Sequence, residues 1–90
     1  MHEILEDVKD QESFMVFVKA LMRDREPHDG KNANEVGFIG DWANNSIYGF
    51  LEGAIAWAED SEFGLRQDPS LKSNPWRQFA VFLYCGKIYE

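Results

Sequence analysis

The stretch N-P-W-R-Q-F-A-V-F-L-Y-C-G-K-I-Y, residues 74–89, predicts a helix with apolar side chains on nearly every side. Asn74 can cap its first turn, and Pro75 suits the first helical position, where a missing N–H costs nothing. One stripe holds Trp76, Phe79, Ala80, Leu83 and Tyr84, and the other sides hold Val81, Phe82, Cys85, Ile88 and Tyr89. A helix of this kind lies at the centre of a bundle or is shared with a partner.

Two further segments show the three-and-four spacing of amphipathic helices. The first, about 11–25, follows a capping residue at Asp10, and Pro27 ends it. The second, about 46–60, can be capped by Asn45 or Ser46. The apolar stripe of the first is Phe14, Phe17, Val18, Leu21 and Met22, and the apolar half of the second is Ile47, Tyr48, Phe50, Leu51, Ala54, Ile55, Trp57 and Ala58. We therefore predict one all-α domain over residues 1–90, a small bundle of three main helices at about 11–25, 46–60 and 75–89.

The remaining segments predict an N-terminal arm and a long structured loop. Residues 1–9 form either a short helical turn or an extended arm, and the pattern leaves both open. Residues 26–46 contain the apolar piece V-G-F-I-G, whose glycines weaken a regular strand. We interpret this segment as a loop that Phe38, Ile39 and Trp42 pin to the bundle.

Two features near the start of the second predicted helix concern its packing. Trp42 and Ile47 are expected to pack on either side of the helix start, as in a hydrophobic staple. Gly49 and Gly53 each cost roughly 0.8–1 kcal/mol relative to alanine inside a helix. Their spacing of four residues therefore indicates either the close approach of another backbone or simple tolerance.

The composition favours a soluble, cytoplasmic protein. Hydrophobic residues make up 44% of the 90 residues, which is enough for a core, and the single cysteine excludes an intramolecular disulfide framework. The acidic N-terminus does not resemble a signal peptide, and no apolar run approaches the length of a membrane span. We therefore expect no membrane partner.

The net charge is −7, and the acids are unevenly distributed. Residues 1–12 carry five acids and one lysine, and residues 32–65 carry six acids and no base. Binding to a phosphate backbone needs clustered lysine and arginine, so the balance argues against a nucleic-acid partner. The surplus acid either keeps the protein soluble or faces a basic partner.

No combination of residues predicts a catalytic, metal or cofactor site. His2, His28 and Cys85 are scattered without the spacing of metal ligands. Cys85 lies in a helical run with no histidine near it in sequence, so a packed thiol is the favoured interpretation over a nucleophile. We therefore predict that the protein is not an enzyme and carries no cofactor.

Aromatic residues suggest one ligand-binding alternative. A pocket lined by them could stack on rings or attract cations, but no set of inward polar residues accompanies it. The aromatic residues concerned are Trp42, Tyr48, Trp57, Trp76 and Tyr84. Packing in the core is the favoured interpretation.

Two motifs carry a resemblance to a known family. The first is W-x-N-x-S-I-x-x-F-L-E-x-x-x-A-W, residues 42–57, and the second is P-W-R-Q-F-A-x-F-L-Y-x-G-K-I-Y-E, residues 75–90. Together they resemble a family of small uncharacterised bacterial domains of unknown function, over roughly the last half of the chain. The resemblance implies a bacterial origin and a small all-helical domain, with no established activity to carry over.

Asn44 and Glu52 match the first motif but lie outside the predicted core faces. One explanation is structural, with Asn44 bonding the loop backbone and Glu52 pairing with a base such as Arg77. The other is that both mark a surface for a partner. The structural explanation is favoured.

The favoured functional hypothesis is a non-enzymatic protein-protein interaction module that self-associates as a homodimer or binds another protein. Its expected interface is the outer side of the last helix, at Phe82, Cys85, Ile88 and Tyr89. An alternative is an acidic immunity-like or antitoxin-like protein that neutralises a basic partner through Glu52, Glu59, Asp60 and Glu62. A third is a small-ligand domain that uses the aromatic pocket.

Overall fold

Helices account for about three quarters of the chain that the computed structural model describes, which comprises residues 2–29, 42–44 and 46–88. Four α-helices and two short 3₁₀ helices follow one another in this part, and it contains no strand. The α-helices are α1 (His2–Glu6), α2 (Gln11–Arg25), α3 (Ile47–Ser61) and α4 (Pro75–Ile88), and the 3₁₀ helices are Glu26–His28 and Pro69–Ser73. The predicted all-α bundle of three main helices is therefore confirmed.

Polar side chains begin the three long helices at the predicted positions. Asp10 accepts a hydrogen bond from the Ser13 N–H at 2.9 Å, and the two residues form a reciprocal capping box. Ser46 accepts from the Gly49 N–H at 3.0 Å, while the alternative cap, Asn45, lies outside the described residues. Asn74 accepts from the Arg77 N–H at 3.2 Å. Each bond satisfies an amide that the helix itself leaves free.

The C-terminal helix α4 is the central element of the bundle. It contacts α1, α2, α3 and the second 3₁₀ helix, whereas α2 and α3 do not pack directly on each other in the described part of the chain. Most of its side chains are half-buried, because neighbours surround it on several sides. A helix that is apolar on nearly every side was expected either at the centre of the bundle or in contact with a partner, and α4 lies at the centre.

The main part of the core lies between α1, α2 and α4. Phe17 of α2 and Val8, which follows α1, are its largest fully buried side chains, with 0% and 1% exposure. The N-terminal arm contains a short helix, and Leu5 packs in the same cluster. The side-chain amide of Asn74 donates to the Val8 carbonyl at 2.9 Å, which ties the arm to the start of α4.

A second apolar cluster surrounds Trp57 at the end of α3. Leu71 of the second 3₁₀ helix is buried near it, and the Phe63 ring meets the Trp57 ring at a centroid distance of 5.9 Å. Phe63 also stacks on Phe82 of α4 at 5.2 Å. Gly64 has a φ of +87°, and a Cβ there would meet Leu71 at 2.9 Å, so the turn needs glycine. The second connection is thus packed against α3 and α4.

Several packing predictions need correction. Met22, predicted on the buried stripe of α2, is 65% exposed, and Ile47, predicted as half of a staple, is 80% exposed. The staple is therefore absent, although Trp42 itself is buried at 4% exposure. Phe38 and Ile39 lie outside the described residues, as does the rest of V-G-F-I-G.

Close backbone approach occurs at Gly86 of α4. A Cβ there would stand 2.9 Å from the Phe50 carbonyl oxygen and 3.2 Å from the Ala54 Cβ. Gly49 meets only side-chain atoms, the closest at 3.2 Å. Gly53 is buried on the inner side of α3. The tight contact between α3 and α4 therefore depends on the glycine of α4.

Candidate functional site

The largest apolar exposure on any one helix is on α3. Ile47, Leu51 and Ile55 follow at intervals of four residues and are 80%, 47% and 50% exposed, and Tyr48 beside them is 75% exposed. We call these four residues the α3 face. Isolated exposed hydrophobic residues are ordinary, but four large ones on one helical face form a contiguous patch of the kind that marks contact sites.

Acidic side chains border the α3 face. Glu52 and Glu59 are exposed and lie at its edge by helical spacing, and the Tyr48 hydroxyl donates to a Glu52 carboxylate oxygen at 3.2 Å. The sequence of α3, I-Y-G-F-L-E-G-A-I-A-W-A-E-D-S, contains no lysine or arginine. The surface is therefore apolar with an acidic margin. The predicted pairing of Glu52 with Arg77 is not found, since Arg77 lies 3.9 Å from Asp68.

An open groove of about 790 Å³ runs between α2 and α3 beside this face. Val18, Leu21 and Met22 of α2 form one wall, and Phe50 and Ile47 of α3 form the other. Leu83 of α4 and Trp42 also line it. Met22 and Ile47 are its two most exposed hydrophobic residues, so the groove joins the outer surface of α2 to the α3 face.

The segment Trp42–Asn44 fixes the start of α3 against the ends of α2 and α4. The Asn44 side chain donates to the Gly86 carbonyl at 2.7 Å, and the Ala43 N–H donates to the Lys87 carbonyl at 2.8 Å. Arg25 donates to the Asn44 carbonyl at 2.9 Å. The first two bonds satisfy carbonyls in the last turn of α4, where the helix has no donor of its own to offer them. Asn44 therefore has a structural role, but its side chain bonds to α4 and not to the loop backbone as predicted.

Trp42 lies close to two cations, and the sequence analysis did not predict either contact. Its indole N–H donates to Asp24 at 2.9 Å, and the Lys87 ammonium lies 2.8 Å from the same carboxylate oxygen. The Arg25 guanidinium and the Lys87 ammonium lie 5.1 and 5.6 Å from the Trp42 ring centre, within cation–π range. The only sequence signal was a single charged residue in the apolar run 79–88, and the partner of that lysine is far away in the chain.

The pKa of the Asp24 carboxyl is lowered by these contacts. Partial burial opposes its ionisation, but the hydrogen bond and charge of Lys87 and the hydrogen bond from Trp42 outweigh that effect. The pKa of Asp24 therefore lies below its ordinary value of 3.8. The folded protein thus binds fewer protons at this site than the unfolded chain does in the same pH range.

Lowering the pH should remove the stabilisation that the Asp24 carboxylate provides. It is fully present above the unfolded pKa of 3.8 and is lost as the pH falls through the lower folded value. We expect Asp24→Asn to be less stable than wild type at about pH 6 and the difference to shrink at about pH 3. Urea unfolding of both proteins at the two pH values measures this. A difference that does not change with pH would contradict it.

The predicted interface on α4 is less exposed than expected. Phe82 stacks on Phe63, and Cys85 is half-buried. Ile88 is 47% exposed, and Tyr89 lies outside the described residues. The structure thus places two of the four side chains partly inside the bundle, because α4 is its central helix.

The predicted acidic contact residues do not share one surface. Glu52 and Glu59 border the α3 face, whereas helical spacing places Asp60 on the opposite side of α3. Glu62 follows the helix in a left-handed conformation with φ of 54°, and it pairs with Arg66 at 3.1 Å. Only the first two therefore belong to the candidate site.

The five residues of the predicted aromatic pocket are not brought together. Trp42 packs near Phe50, Trp57 belongs to the second cluster, and Trp76 contacts Phe14 at a ring distance of 5.4 Å. Tyr48 is exposed on α3, and Tyr84 is half-buried on α4. Each tryptophan fills a different part of the interior, so this set lines no common cavity.

The described residues contain no metal-ligand cluster, and their one cysteine has a raised pKa. They contain no group of three or more His, Cys, Asp or Glu side chains that could hold a metal ion. Burial raises the pKa of the Cys85 thiol to about 11, which keeps it protonated at neutral pH. In the same part of the chain, no helix combines the length and apolar character needed to cross a membrane.

These features define a small all-α domain with a clamped helix start and an exposed apolar helix face. Residues 10–90 match the family described as Family of unknown function (DUF7660), and the chain belongs to that family. The match covers both motifs. In the first motif, the W-x-N-x-S positions are Trp42, Asn44 and the Ser46 cap. Comparison with curated proteins found no match, and neither did comparison with solved structures.

Proposed function

We propose that this domain is a non-enzymatic protein-protein interaction module and that the α3 face is its contact surface. The observation that carries the proposal is the exposure of Ile47, Tyr48, Leu51 and Ile55, between 47% and 80%, on one side of a helix. Exposed apolar surface of this kind lowers solubility unless a partner covers it. Helices that present such a stripe commonly bind another helix along it.

The packing of the opposite side of α3 supports the same proposal. Ala54 and Trp57 are buried at 0% and 3% exposure, so α3 is anchored to the bundle by its inner side. The Ser46 cap and the Asn44 bond to α4 fix where the helix starts. A surface held in this way is pre-organised, which reduces the entropy that binding has to overcome.

A second candidate is neutralisation of a basic partner, and the acidic margin of the α3 face favours it. Glu52 and Glu59 are exposed beside the apolar residues, and the whole chain carries a net charge of −7. Opposite charge on a partner would speed encounter and select the correct protein. Both candidate functions use the α3 face. They differ in whether the partner protein has to be basic.

Site-specific photo-crosslinking in cells that produce the protein tests the contact surface. Leu51 is replaced by the photoreactive amino acid benzoylphenylalanine in one variant, and Asp60, exposed on the opposite side of α3, is replaced in a control. We expect irradiation to give a discrete adduct at position 51 and none at position 60. Mass spectrometry of the adduct then distinguishes a second copy from another protein.

Three results would count against the proposal. They are no adduct at position 51, equal labelling at both positions, or a discrete adduct at position 60 alone. The last result would instead place the contact around Asp60, away from the α3 face. Far-UV circular dichroism of both variants confirms beforehand that each one folds.

A further inference from the structure

The outer surface of α2 carries a second exposed apolar patch. From Met15 to Arg23 its charged residues are bases, opposite in sign to those of the α3 face, and Glu12 is exposed on the same side one turn earlier. Met15, Val16 and Met22 are 49%, 55% and 65% exposed. Lys19 and Arg23 are exposed among them, at helical spacings of three and four residues. We call these five residues the α2 face. Methionine side chains adapt their shape readily, which suits them to contact surfaces.

The two faces are alike in exposing apolar side chains and opposite in the sign of the charges beside them. The α3 face offers β-branched and aromatic side chains with Glu52 and Glu59 at its margin, and the α2 face offers flexible methionines with Lys19 and Arg23. Contact between them would cover both apolar patches and bring acids toward bases. Contact between two α3 faces would instead bring the glutamates of antiparallel helices together, and α3 has no base to offset them.

We propose that the partner of the α3 face is the α2 face of a second copy of this chain, in a two-fold dimer that forms this contact twice. The inference rests on the proposed function and names the partner. Met22 and Ile47 line the same groove, so the two faces border one side of the molecule. A two-fold axis there lets α2 of each copy meet α3 of the other, which is the closed arrangement of most dimers.

Charge exchange between the two faces tests the pairing. The first variant carries Glu52→Lys with Glu59→Lys, and the second carries Lys19→Glu with Arg23→Glu. Each variant alone would form both contacts between like charges, whereas a mixed dimer would pair opposite charges at both. We expect wild type to be a dimer by light scattering, each variant to be a monomer, and their equimolar mixture to restore a dimer at least about 10-fold tighter than either variant alone.

A third variant separates local pairing from total charge. Glu3→Lys with Asp7→Lys changes the net charge by the same amount as the first variant but lies on and after α1, outside both faces. If total charge controlled association, both variants would associate more strongly than wild type, because each is less negative than −7. Under the proposal, the third variant remains a dimer and the first does not. Thermal unfolding confirms that all variants fold.

The proposal is overturned if wild type is a monomer at about 0.5 mM. At that protein concentration even a weak dimer, with a Kd of about 0.1 mM, would be the main species. It is also overturned if the first two variants both remain dimers or if their mixture stays monomeric. A wild-type monomer whose residue 51 crosslinks to a different protein would remove this inference and leave the proposed function standing. If photo-crosslinking gave no adduct at residue 51, both this inference and the proposed function would be wrong.

Discussion

Replacing Phe17 by alanine is expected to lower the free energy of unfolding by about 3–5 kcal/mol. Phe17 has 0% exposure and is the largest fully buried side chain of the described residues. Its removal loses the transfer free energy of the ring and leaves a cavity between α2 and α4 that the neighbouring side chains only partly fill. A domain of 90 residues has a total stability of roughly 5–13 kcal/mol. The loss is therefore a large part of the whole.

Urea unfolding followed by circular dichroism measures the effect, and Val16→Ala is the matched control. Val16 is the preceding residue of the same helix but is 55% exposed in the single chain. In protein dilute enough to dissociate the proposed dimer, its truncation should therefore change the free energy of unfolding by less than about 0.5 kcal/mol. Similar losses in both variants would mean that burial does not distinguish the two positions, because alanine is the better helix former at both. A loss of under about 1 kcal/mol for Phe17→Ala would show that this part of the core repacks freely.

Helix positions could be predicted from the sequence because the signals for them are local. Asp10, Ser46 and Asn74 each precede a periodic apolar run and bond to amides three residues ahead. α2 begins and ends at the predicted residues, and α3 is shifted by one residue from the prediction of 46–60. A capping bond spans one turn of helix, so the information for it lies within one turn of sequence.

The buried faces could be predicted only in part, because burial depends on how many neighbours a helix has. The apolar half of α3 is wide enough for contacts on two sides, and α4 occupies only one of them. Ile47 and Leu51 therefore have the same sequence signature as Ala54 and Trp57 but different exposure. Periodicity shows which side of a helix is apolar, but it does not show how many neighbouring elements cover that side.

The contacts that hold the helices together could not be predicted, because they join distant parts of the chain. Asn44 bonds to a carbonyl 42 residues away, and Trp42 bonds to Asp24 18 residues away. Lys87 could not be distinguished in the sequence from a surface lysine near a helix end, where its charge is usually favourable. The α2 face was missed for the same reason as the α3 face, since Met22 was assigned to the core.

Replacing Gly86 by valine is expected to lower the free energy of unfolding by about 3 kcal/mol, at the upper end of the range for overpacked sites. A Cβ at this position would stand 2.9 Å from the Phe50 carbonyl oxygen, which belongs to the backbone of α3 and cannot rotate away. The Phe50 ring and the Ala54 Cβ are also close, at 3.1 and 3.2 Å. The two helices would have to separate, which would also lengthen the bond from Asn44 to the Gly86 carbonyl.

Gly86→Ala and Gly49→Ala separate steric conflict from helix propensity. Alanine gains roughly 1 kcal/mol over glycine in a helix. We therefore expect Gly86→Ala to cost about 1–2 kcal/mol, because the same close contact with Phe50 outweighs that gain. Gly49→Ala meets the rotatable Ser46 hydroxyl at 3.2 Å and should change stability by less than about 1 kcal/mol. Urea unfolding measures both variants. If Gly86→Ala proves more stable than wild type, the close contact at Gly86 does not set the distance between α3 and α4. The Trp42–Asn44 segment, and not the crossing at Gly86, would then set the position of α3 and of its exposed face.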